Sequence, residues 1–415
     1  MDRLYSDADI LVKRAIEANM PQAAVENALK GRSFTKNLYM VAIGKAAWNM
    51  AKAAHDALGS QIKKGIVITK YDHCLGDIPN TEIIEAGHPL SDSNTIAGTQ
   101  KAIDLARSLG EQDELLFLIS GGGSALFEAP LEGVSLDDIV AINSQLLACG
   151  ADIVEINMIR KRLSGVKAGR FANLCKPAKV FTVVLSDVLG DRLDSIASGP
   201  AFPDMSTAED AQNVIDKYGL KLTDTMKKHL SLETPKEIDN VESVITGSVR
   251  TLCNVSAEIA KELGYTPHIL CSGMSCEARE AGRLMSSMAR QIDEGSYSFK
   301  RPCAIILGGE TVVHLKGKGK GGRNQELALA AAEGISGMSD TLILSFGSDG
   351  TDGPTDAAGG MVDGETIAQL EAKGLDVNRI LDDNDAYNGL KAVDRLIMTG
   401  PTGTNVNDAA IILCR

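Results

Sequence analysis

The sequence predicts an α/β fold divided into two domains, and three observations carry that prediction. The chain has 415 residues, and globular domains hold about 100–200 residues each. Short apolar runs alternate with helical patterns along most of the chain, as strands and helices do in α/β folds. A polar, weakly patterned interval near residues 205–240 interrupts this alternation. We therefore predict an N-terminal domain over 1–240, a smaller C-terminal α/β domain over 241–415, and a cleft between them.

The apolar runs of the first domain predict its sheet. They are NLYMVAIG, GIVITK, TEIIEAG, ELLFLIS and KVFTVVLSD. Because helical patterns separate most of these runs, we expect a doubly wound, largely parallel sheet with helices on both faces. Ligands bind such sheets at the carboxyl ends of the strands. The candidate site residues therefore lie where the runs end.

The composition excludes several classes of protein. The 42 lysines and arginines against 55 aspartates and glutamates give a net charge of −13, which argues against a nucleic-acid or anionic-membrane partner. The eight cysteines form no CxxC pair, and the closest two, Cys271 and Cys276, do not match the ligand spacing of a zinc site. The N-terminus has no apolar signal region, and no run is long enough to span a membrane. We expect a cytoplasmic protein.

A glycine-rich turn follows the fourth apolar run, in the stretch LISGGGSALF over 118–127. Consecutive glycines imply either positive φ angles or a backbone that something approaches closely. The N–H groups of such a turn, leading into a helix, would form a nest for an anion. A simple tight turn between strand and helix explains the pattern equally well. A serine hydrolase is disfavoured, since Ser124 lies outside a GxSxG elbow.

A second glycine-rich stretch, Gly317–Gly322, matches the dinucleotide pattern GxGxxG between a strand and a helix. Alone it predicts a dehydrogenase. However, four cations fall within eight residues here: Lys316, Lys318, Lys320 and Arg323. That charge suits a polyphosphate better, and no acidic residue ends a second strand about 20 residues on, as a ribose contact requires. The stretch indicates a nucleoside triphosphate, with a basic hairpin loop as the alternative.

Aspartates follow two further runs at their carboxyl ends: Asp187, Asp191 and Asp194, and then Asp349, Asp352 and Asp356. Mg²⁺ takes one or two carboxylates together with phosphate oxygens and waters, and a carboxylate can accept a proton from an attacking hydroxyl. Aspartate also forms turns through its own side chain. We expect that simpler role for at least half of the six.

Lys45, in IGKAAW, lies between the first strand and its helix. A cation is poorly placed for the dipole at a helix N-terminus, so this position favours a phosphate ligand over an exposed side chain. The sequence has neither the GxxxxGK[ST] motif nor the protein-kinase motifs. The residues alone therefore predict an α/β enzyme with a glycine-rich anion site and several acids.

Five motifs together resemble those of one family. ISGGGSALFEAP, LSDVLGDRLDSIASGP, GGRNQELAL, SDGTDGPTDAAGG and GPTGTNVND are similar, in this order, to motifs of the glycerate 2-kinases, ATP-dependent enzymes with a C-terminal MOFRL domain. The resemblance covers nearly the whole chain. It implies a Rossmann-like three-layer N-terminal domain, a smaller α/β MOFRL-type domain and an active site in the interdomain cleft. It also implies transfer of the ATP γ-phosphate to the 2-hydroxyl of D-glycerate.

The resemblance extends to individual residues. Lys45 and Arg323 match positions that serve the family's active site. We expect the backbone of Gly121, Gly122, Gly123 and Ser124 to cradle phosphates, and Asp187 to act in catalysis. Further candidates for binding substrate or nucleotide are Ser120, Asp191, Glu310, Lys318, Asn324 and Asp352. The expected cofactors are ATP and Mg²⁺, with Asp187, Asp191 and Asp349 as metal ligands.

Two other functions stay open at this point. Members of the family often carry the label hydroxypyruvate reductase, and an NAD(P)H-dependent reductase would use the GxGxxG stretch. A non-catalytic nucleotide-binding protein would bind ATP without turnover. The sequence also leaves open whether the chain forms a homodimer, which nucleotide and 2-hydroxy acid it prefers, and which domain holds ATP.

Overall fold

The computed structural model describes residues 2–190, 192–295 and 298–415, and the chain divides into two compact units. The central unit is Ala24–Thr246, and the terminal unit combines Met1–Ala23 with Gly247–Arg415. The sequence placed one boundary after residue 240. The chain divides after 246 instead, and its first 23 residues join the terminal unit.

Strands and helices alternate along both units. The strands are β1 (Asn37–Ile43), β2 (Ile62–Lys70), β3 (Thr81–Ala86), β4 (Asp113–Ile119), β5 (Lys179–Leu185), β6 (Val241–Gly247), β7 (Thr266–Met274), β8 (Cys303–Gly309), β9 (Thr341–Gly347), β10 (Gly359–Asp363), β11 (Leu396–Ile397) and β12 (Asp408–Cys414). The helices are α1 (Asp2–Glu17), α2 (Pro21–Leu29), α3 (Ala47–Leu58), α4 (Ser93–Ser108), α5 (Gly123–Leu126), α6 (Leu136–Ala148), α7 (Ile153–Leu163), α8 (Arg170–Leu174), α9 (Ala208–Tyr218), α10 (Asp224–Leu230), α11 (Val249–Glu262), α12 (Ala278–Asp293), α13 (Arg323–Ala332), α14 (Thr366–Ala372), α15 (Val377–Asp382) and α16 (Ala386–Ala392).

The central unit is built on a sheet of order β3-β2-β1-β4-β5-β6, with parallel pairing from β3 through β5. Most of β1 and β4 is buried, as expected for strands covered by helices on both faces. This confirms the predicted parallel α/β fold. The strand order reverses between β1 and β4, and such a switch point is where doubly wound sheets bind ligands at the carboxyl ends of the strands.

The strand register brings the predicted glycine turn to that switch point. Ile43 at the end of β1 pairs with Ile119 at the end of β4, and Ile119 pairs with Val184 of β5. The residues that follow these three strands therefore leave the sheet at one edge. Lys45, the turn at 120–124 and Asp187 are among them.

The terminal unit has a mixed sheet of order β11-β10-β9-β12-β8-β7. Among the described strands of this sheet, β7 and β8 pair in parallel, and the pairs β10–β11, β9–β10, β9–β12 and β8–β12 are antiparallel. Helix α1 packs on this unit against α11 and β9. It buries Leu4, Ala8, Leu11 and Ala15, which recur every three to four residues along one helix face. The unit is α/β, as predicted, although its sheet is not parallel.

Two further observations concern the chain's environment. No helix within the described ranges combines the length and the apolar character needed to cross a membrane. All eight cysteines are unpaired thiols. The thiols of Cys175 and Cys253 have their pKa raised to about 12 by burial, so both are protonated near neutral pH.

Candidate functional site

The predicted site residues form two groups, one in each unit. The central group comprises Lys45, Ser120, Gly121, Gly122, Gly123, Ser124 and Asp187. The terminal group comprises Glu310, Lys318, Arg323, Asn324, Asp349 and Asp352. Asp191 lies outside the described residues.

Hydrogen bonds beyond the strand ends tie the turn to β1. The N–H of Lys45 donates to the Gly121 carbonyl over 2.9 Å, and the N–H of Ser120 donates to the Ile43 carbonyl over 3.0 Å. The Ser120 hydroxyl donates to that same carbonyl and accepts from the N–H of Ala46, each over 3.1 Å. Ser120 is 1% exposed. Its hydroxyl therefore joins the two strand ends and has no donor left for a ligand.

Each glycine of the turn is required for a specific reason. Gly122 has φ +83° and stands in the left-handed region at the start of α5, where a side chain would strain the backbone. A Cβ on Gly121 would lie 2.0 Å from Asp187 Oδ2, and a Cβ on Gly123 would lie 2.7 Å from the Ala197 Cβ. Both predicted explanations, positive φ and close approach, thus apply within one turn.

Lys45 and Asp187 lie on the turn itself. The Lys45 Cγ is 3.0 Å from the position a Cβ on Gly122 would take, and the Asp187 carboxylate packs on Gly121. The ring of His88 also reaches Gly122, 3.1 Å from the same Cβ position. Burial first, and then the positive charge of Lys45, lower the pKa of His88. His88 was not predicted from the sequence, where its only signal is its place just after β3.

Ser124 begins a chain of buried hydrogen bonds. Its Oγ is 2.9 Å from Ser198 Oγ, and the Ser198 hydroxyl donates to Asn157 Oδ1 over 3.0 Å. Ala197 and Ser198 have φ of +51° and +60°, which is uncommon for residues other than glycine. Strained backbone of this kind persists where the surroundings fix it, often at functional sites. Ser198 and Asn157 were not predicted, because nothing local in the sequence connects them to Ser124.

In the terminal unit, Arg323 is held by two carboxylates. Its Nε and Nη2 donate to the two oxygens of Asp408 over 2.6 and 3.1 Å, and its Nη1 donates to Glu310 over 2.9 Å. Burial lowers the pKa of Arg323, but the hydrogen bond to Asp408 and the negative charges of the nearby carboxylates together outweigh burial and raise that pKa. Burial likewise raises the pKa of Asp408. Asp408 was missed as a site residue, although it ends the GPTGTNVND motif.

Asn324 lies in the first turn of α13, and Asp352, from the loop after β9, packs against that turn. The Asp352 carboxylate accepts the backbone N–H groups of Asn324 and Gln325 over 3.2 and 2.8 Å. It therefore caps a helix whose preceding residue, Gly322, has no side chain to do so. Burial raises the pKa of Asp352 to about 6. The Asn324 side chain accepts from Ser345 Oγ over 2.6 Å, so both polar groups are engaged inside the unit.

Glu310, Arg323, Asp349 and Asp352 line a common pocket of about 680 Å³. Asp349 accepts the N–H of Thr351 over 3.0 Å, in a local turn. A Cβ on Gly347 would lie 3.3 Å from an oxygen of Asp349 and equally far from one of Asp408. The pocket wall therefore carries several carboxylates near one guanidinium. Lys318 is exposed and is not among the residues lining this pocket.

The GxGxxG stretch does not form a dinucleotide turn. The N–H groups of Lys316 and Gly317 donate to Asn384 Oδ1 over 2.8 and 3.0 Å. The N–H groups of Lys318 and Lys320 donate to the carboxylates of residues 383 and 385. These amides would have to face a pyrophosphate in a dinucleotide site. Gly317 and Gly319 are needed instead because residues 383–385 lie against their backbone.

The central group fits a magnesium ion brought in with a nucleotide. Within residues 2–190, 192–295 and 298–415, no group of three or more His, Cys, Asp or Glu side chains is arranged to hold a metal. Mg²⁺ does not require one, because it takes one or two carboxylates and completes its shell with phosphate oxygens and waters. Asp187, packed on Gly121, provides such a carboxylate beside the turn.

Comparisons with known proteins agree with the order of the motifs. The profile of a domain of unknown function (DUF4147) matches residues 7–231, and that of the MOFRL family matches residues 303–408. The chain is 53% identical to the D-glycerate 2-kinase of Thermotoga maritima and 41% identical to the glycerate 2-kinase of Pyrococcus horikoshii, in each case over 97% of this chain and 96% of the relative. A crystal structure of glycerate kinase from Thermotoga maritima superimposes with a TM-score of 0.97 at 52% identity, covering all of both chains.

Proposed function

Because this chain belongs to the glycerate 2-kinase family, we propose that it transfers the γ-phosphate of ATP to the 2-hydroxyl of D-glycerate. The products would be 2-phospho-D-glycerate and ADP. The observation that carries the proposal is the glycine turn at the switch point between β1 and β4, with Lys45 against Gly122 and Asp187 against Gly121. A cation, a carboxylate and a close backbone approach are what phosphoryl transfer requires.

The central group has separate tasks in this proposal. The backbone of 121–124 receives phosphate oxygens, and Lys45 neutralises the charge that develops on the transferred group. Asp187 holds Mg²⁺ or accepts the proton that the 2-hydroxyl loses. Mg²⁺, when bound, neutralises phosphate charge and orients the phosphate chain. Asp191 and Asp349 stay proposed as further metal ligands.

Arg323 stabilises negative charge through a guanidinium that Asp408 and Glu310 hold in place. A donor that is already oriented costs no reorganisation during the reaction, which is why preorganised cations stabilise transition states well. Lys318, whose side chain is exposed, is available to ATP phosphates. Asp352 and Asn324 act by fixing the start of α13, on which Arg323 stands.

The reductase alternative lacks its main support. It depended on Gly317–Gly322 as a dinucleotide turn, and four backbone N–H groups of residues 316–320 are bonded to side chains of residues 383–385. The strand before the stretch, β8, also lies between an antiparallel and a parallel neighbour. A Rossmann site instead requires a strand that leads directly through the glycines into a helix.

The small-molecule partners in this proposal are D-glycerate and ATP, and the compartment is the cytoplasm. The eight unpaired cysteines support a reducing compartment, because thiols persist there and disulfides rarely form. The net charge of −13 supports the absence of a nucleic-acid partner.

The proposed activity is tested by coupling product formation to enolase, pyruvate kinase and lactate dehydrogenase. The protein is mixed with ATP, Mg²⁺ and D-glycerate, and a parallel sample receives hydroxypyruvate and NADH alone. We expect NADH oxidation in the first sample without added phosphoglycerate mutase, because only 2-phosphoglycerate enters enolase directly. Oxidation confined to the hydroxypyruvate sample would establish the reductase instead.

A further inference from the structure

The end of α7 and the loop after it carry an unusual density of basic residues. Five cations fall between residues 160 and 170: Arg160, Lys161, Arg162, Lys167 and Arg170. The side chains of Lys161, Arg162 and Lys167 are almost fully buried, and Arg160 and Arg170 are partly buried. Buried cations are expensive unless acids or carbonyl groups compensate them. The groups that pair with each of the five cations therefore indicate the role of that cation.

Four of the five cations have clear partners inside the central unit. Lys161 Nζ lies 3.2 Å from Asp194 and 3.3 Å from Asp204, and Arg162 Nη1 lies 3.3 Å from Asp204. Lys167 Nζ lies 2.8 Å from Glu128 and donates to the Phe127 carbonyl. Arg170 donates to backbone carbonyl groups, including that of Ser164 over 2.8 Å. These four side chains hold the unit together.

Arg160 differs from its neighbours. Its Nε donates to the neutral amide oxygen of Asn143 over 2.6 Å. Within the described part of the chain, no carboxylate forms an ion pair with its guanidinium. Burial lowers the pKa of Arg160, and only the more distant charge of Glu128 opposes that change. The terminal nitrogens thus offer a fork of donors, the geometry that binds a carboxylate with two hydrogen bonds.

The position of Arg160 relates this fork to the glycine turn. Asn157 lies three residues earlier on the same face of α7 and bonds Ser198, which bonds Ser124. The charges of Arg160 and Lys167 also influence each other, and Lys167 is bonded to the chain directly after α5. Arg160 therefore lies about one helical turn from Asn157, the residue at which the buried hydrogen-bond chain from Ser124 ends.

We propose that the Arg160 guanidinium binds the carboxylate of the phosphoryl acceptor, in a subsite beside Ser124. The inference rests on the proposed function, since it takes the acceptor to be a 2-hydroxy acid. The carboxylate is the acceptor's only charged group, and it is attached directly to the carbon that bears the 2-hydroxyl. Anchoring it therefore directs that hydroxyl, rather than the one at the far carbon, to the reacting phosphate.

The test compares Arg160→Gln with Arg160→Lys and with a matched control, Arg107→Gln, which changes an exposed arginine of α4. Calorimetry measures D-glycerate binding without ATP, and steady-state kinetics give KM for each substrate. We expect Arg160→Gln to weaken D-glycerate binding about 10- to 100-fold, the effect of losing a hydrogen bond to a charged group, while KM for ATP changes little. Arg160→Lys should recover part of the loss, and the control should match the wild type.

Two results would overturn the inference. One is wild-type D-glycerate affinity in a folded Arg160→Gln variant. The other is an equal rise in KM for ATP and D-glycerate, which indicates a structural role. If Arg160→Gln does not fold, Arg160→Lys decides, because a point charge in place of the fork should raise KM for D-glycerate alone. A wild-type protein that phosphorylates no glycerate would refute the proposed function; an active wild type with an unaffected variant refutes only this subsite.

Discussion

Lys45 follows β1, and its side chain packs against the glycine turn. In the proposed function it neutralises charge on the transferred phosphoryl group. Lys45→Ala should lower kcat by about 10²–10³, the usual effect of removing one transition-state charge partner, with the fold retained. The matched control is Lys52→Ala, which changes a half-exposed lysine of α3 paired with Asp56. Turnover within a few-fold of the wild type in Lys45→Ala would remove this residue from the mechanism.

The carboxyl group of Asp352 makes the free energy of unfolding depend on pH. Burial raises its pKa from 3.8 to about 6 in the folded protein, so between those values the folded state binds more protons than the unfolded state. Its stabilising contribution is complete below about pH 4 and is lost as the pH rises through about 6.

Asp352→Asn cannot titrate and should not show this loss. Relative to the wild type, its free energy of unfolding should rise by about 3 kcal/mol between roughly pH 4 and pH 7. Urea unfolding of both proteins at the two pH values measures this difference. Asp356→Asn, a change at an exposed carboxyl of the same loop, should show no such rise. A pH-independent difference between Asp352→Asn and the wild type would contradict the assigned pKa.

The residues whose place can be predicted from sequence are those whose position follows from their own segment. Lys45 and the turn glycines stand directly after strands, and their position implies close approach. Asp408 could not be found in this way, because its partner Arg323 is 85 residues away in the chain. His88 and Ser198 were missed for the same reason, since tertiary packing alone brings them to the turn.

At the scale of elements, the glycine turn is a joint between β4 and α5 that admits no side chain. Gly121→Ala would place a Cβ on the Asp187 carboxylate and displace one of the two. We expect kcat/KM to fall about 100-fold, since a shift of about 1 Å at a reacting site costs that much. Gly110→Ala is the matched control, because its Cβ would meet only Asp113 Oδ2, at 3.7 Å. Full activity in Gly121→Ala would show that the turn does not position the reaction.

The stretch from 316 to 322 shows where reasoning from one element fails. Its sequence predicts correctly that a helix follows, but the run over 311–316 directly before it is not a strand and forms only an isolated bridge at Val312. The partners of its backbone amides come from residues 383–385, about 65 residues later. A motif records which backbone conformations are allowed, but not which atoms fill the space beside it. The GxGxxG pattern at Gly317–Gly322 is therefore explained by the packing of this loop against residues 383–385.

At the scale of the whole molecule, the first helix belongs with the C-terminal residues. The buried residues of α1 recur on one helix face, but no local feature tells which sheet that face covers. The structure places α1 on the terminal unit, where Asp7 accepts hydrogen bonds from Tyr265 and Arg415 over 2.7 and 2.6 Å. The alternation of strands and helices, by contrast, predicts both α/β units from sequence.

This assignment predicts which unit a change in α1 destabilises. Leu11 is fully buried, so Leu11→Ala should cost about 2–5 kcal/mol through the cavity it leaves. Native-state hydrogen exchange should show lost protection in Gly247–Arg415. The neighbouring Ile10, 37% exposed, provides the control Ile10→Ala. Loss confined to Ala24–Thr246 would refute the assignment of α1.

The most direct test of the central claim is to identify the phosphorylated product by proton-coupled phosphorus NMR. The wild-type protein is incubated with ATP, Mg²⁺ and D-glycerate until ADP accumulates. Phosphate on the 2-hydroxyl is attached to a carbon with one hydrogen, so the account predicts a doublet that grows in step with ADP. A triplet, from phosphate on the terminal CH₂ group, or inorganic phosphate in place of a phosphorylated acid would contradict it.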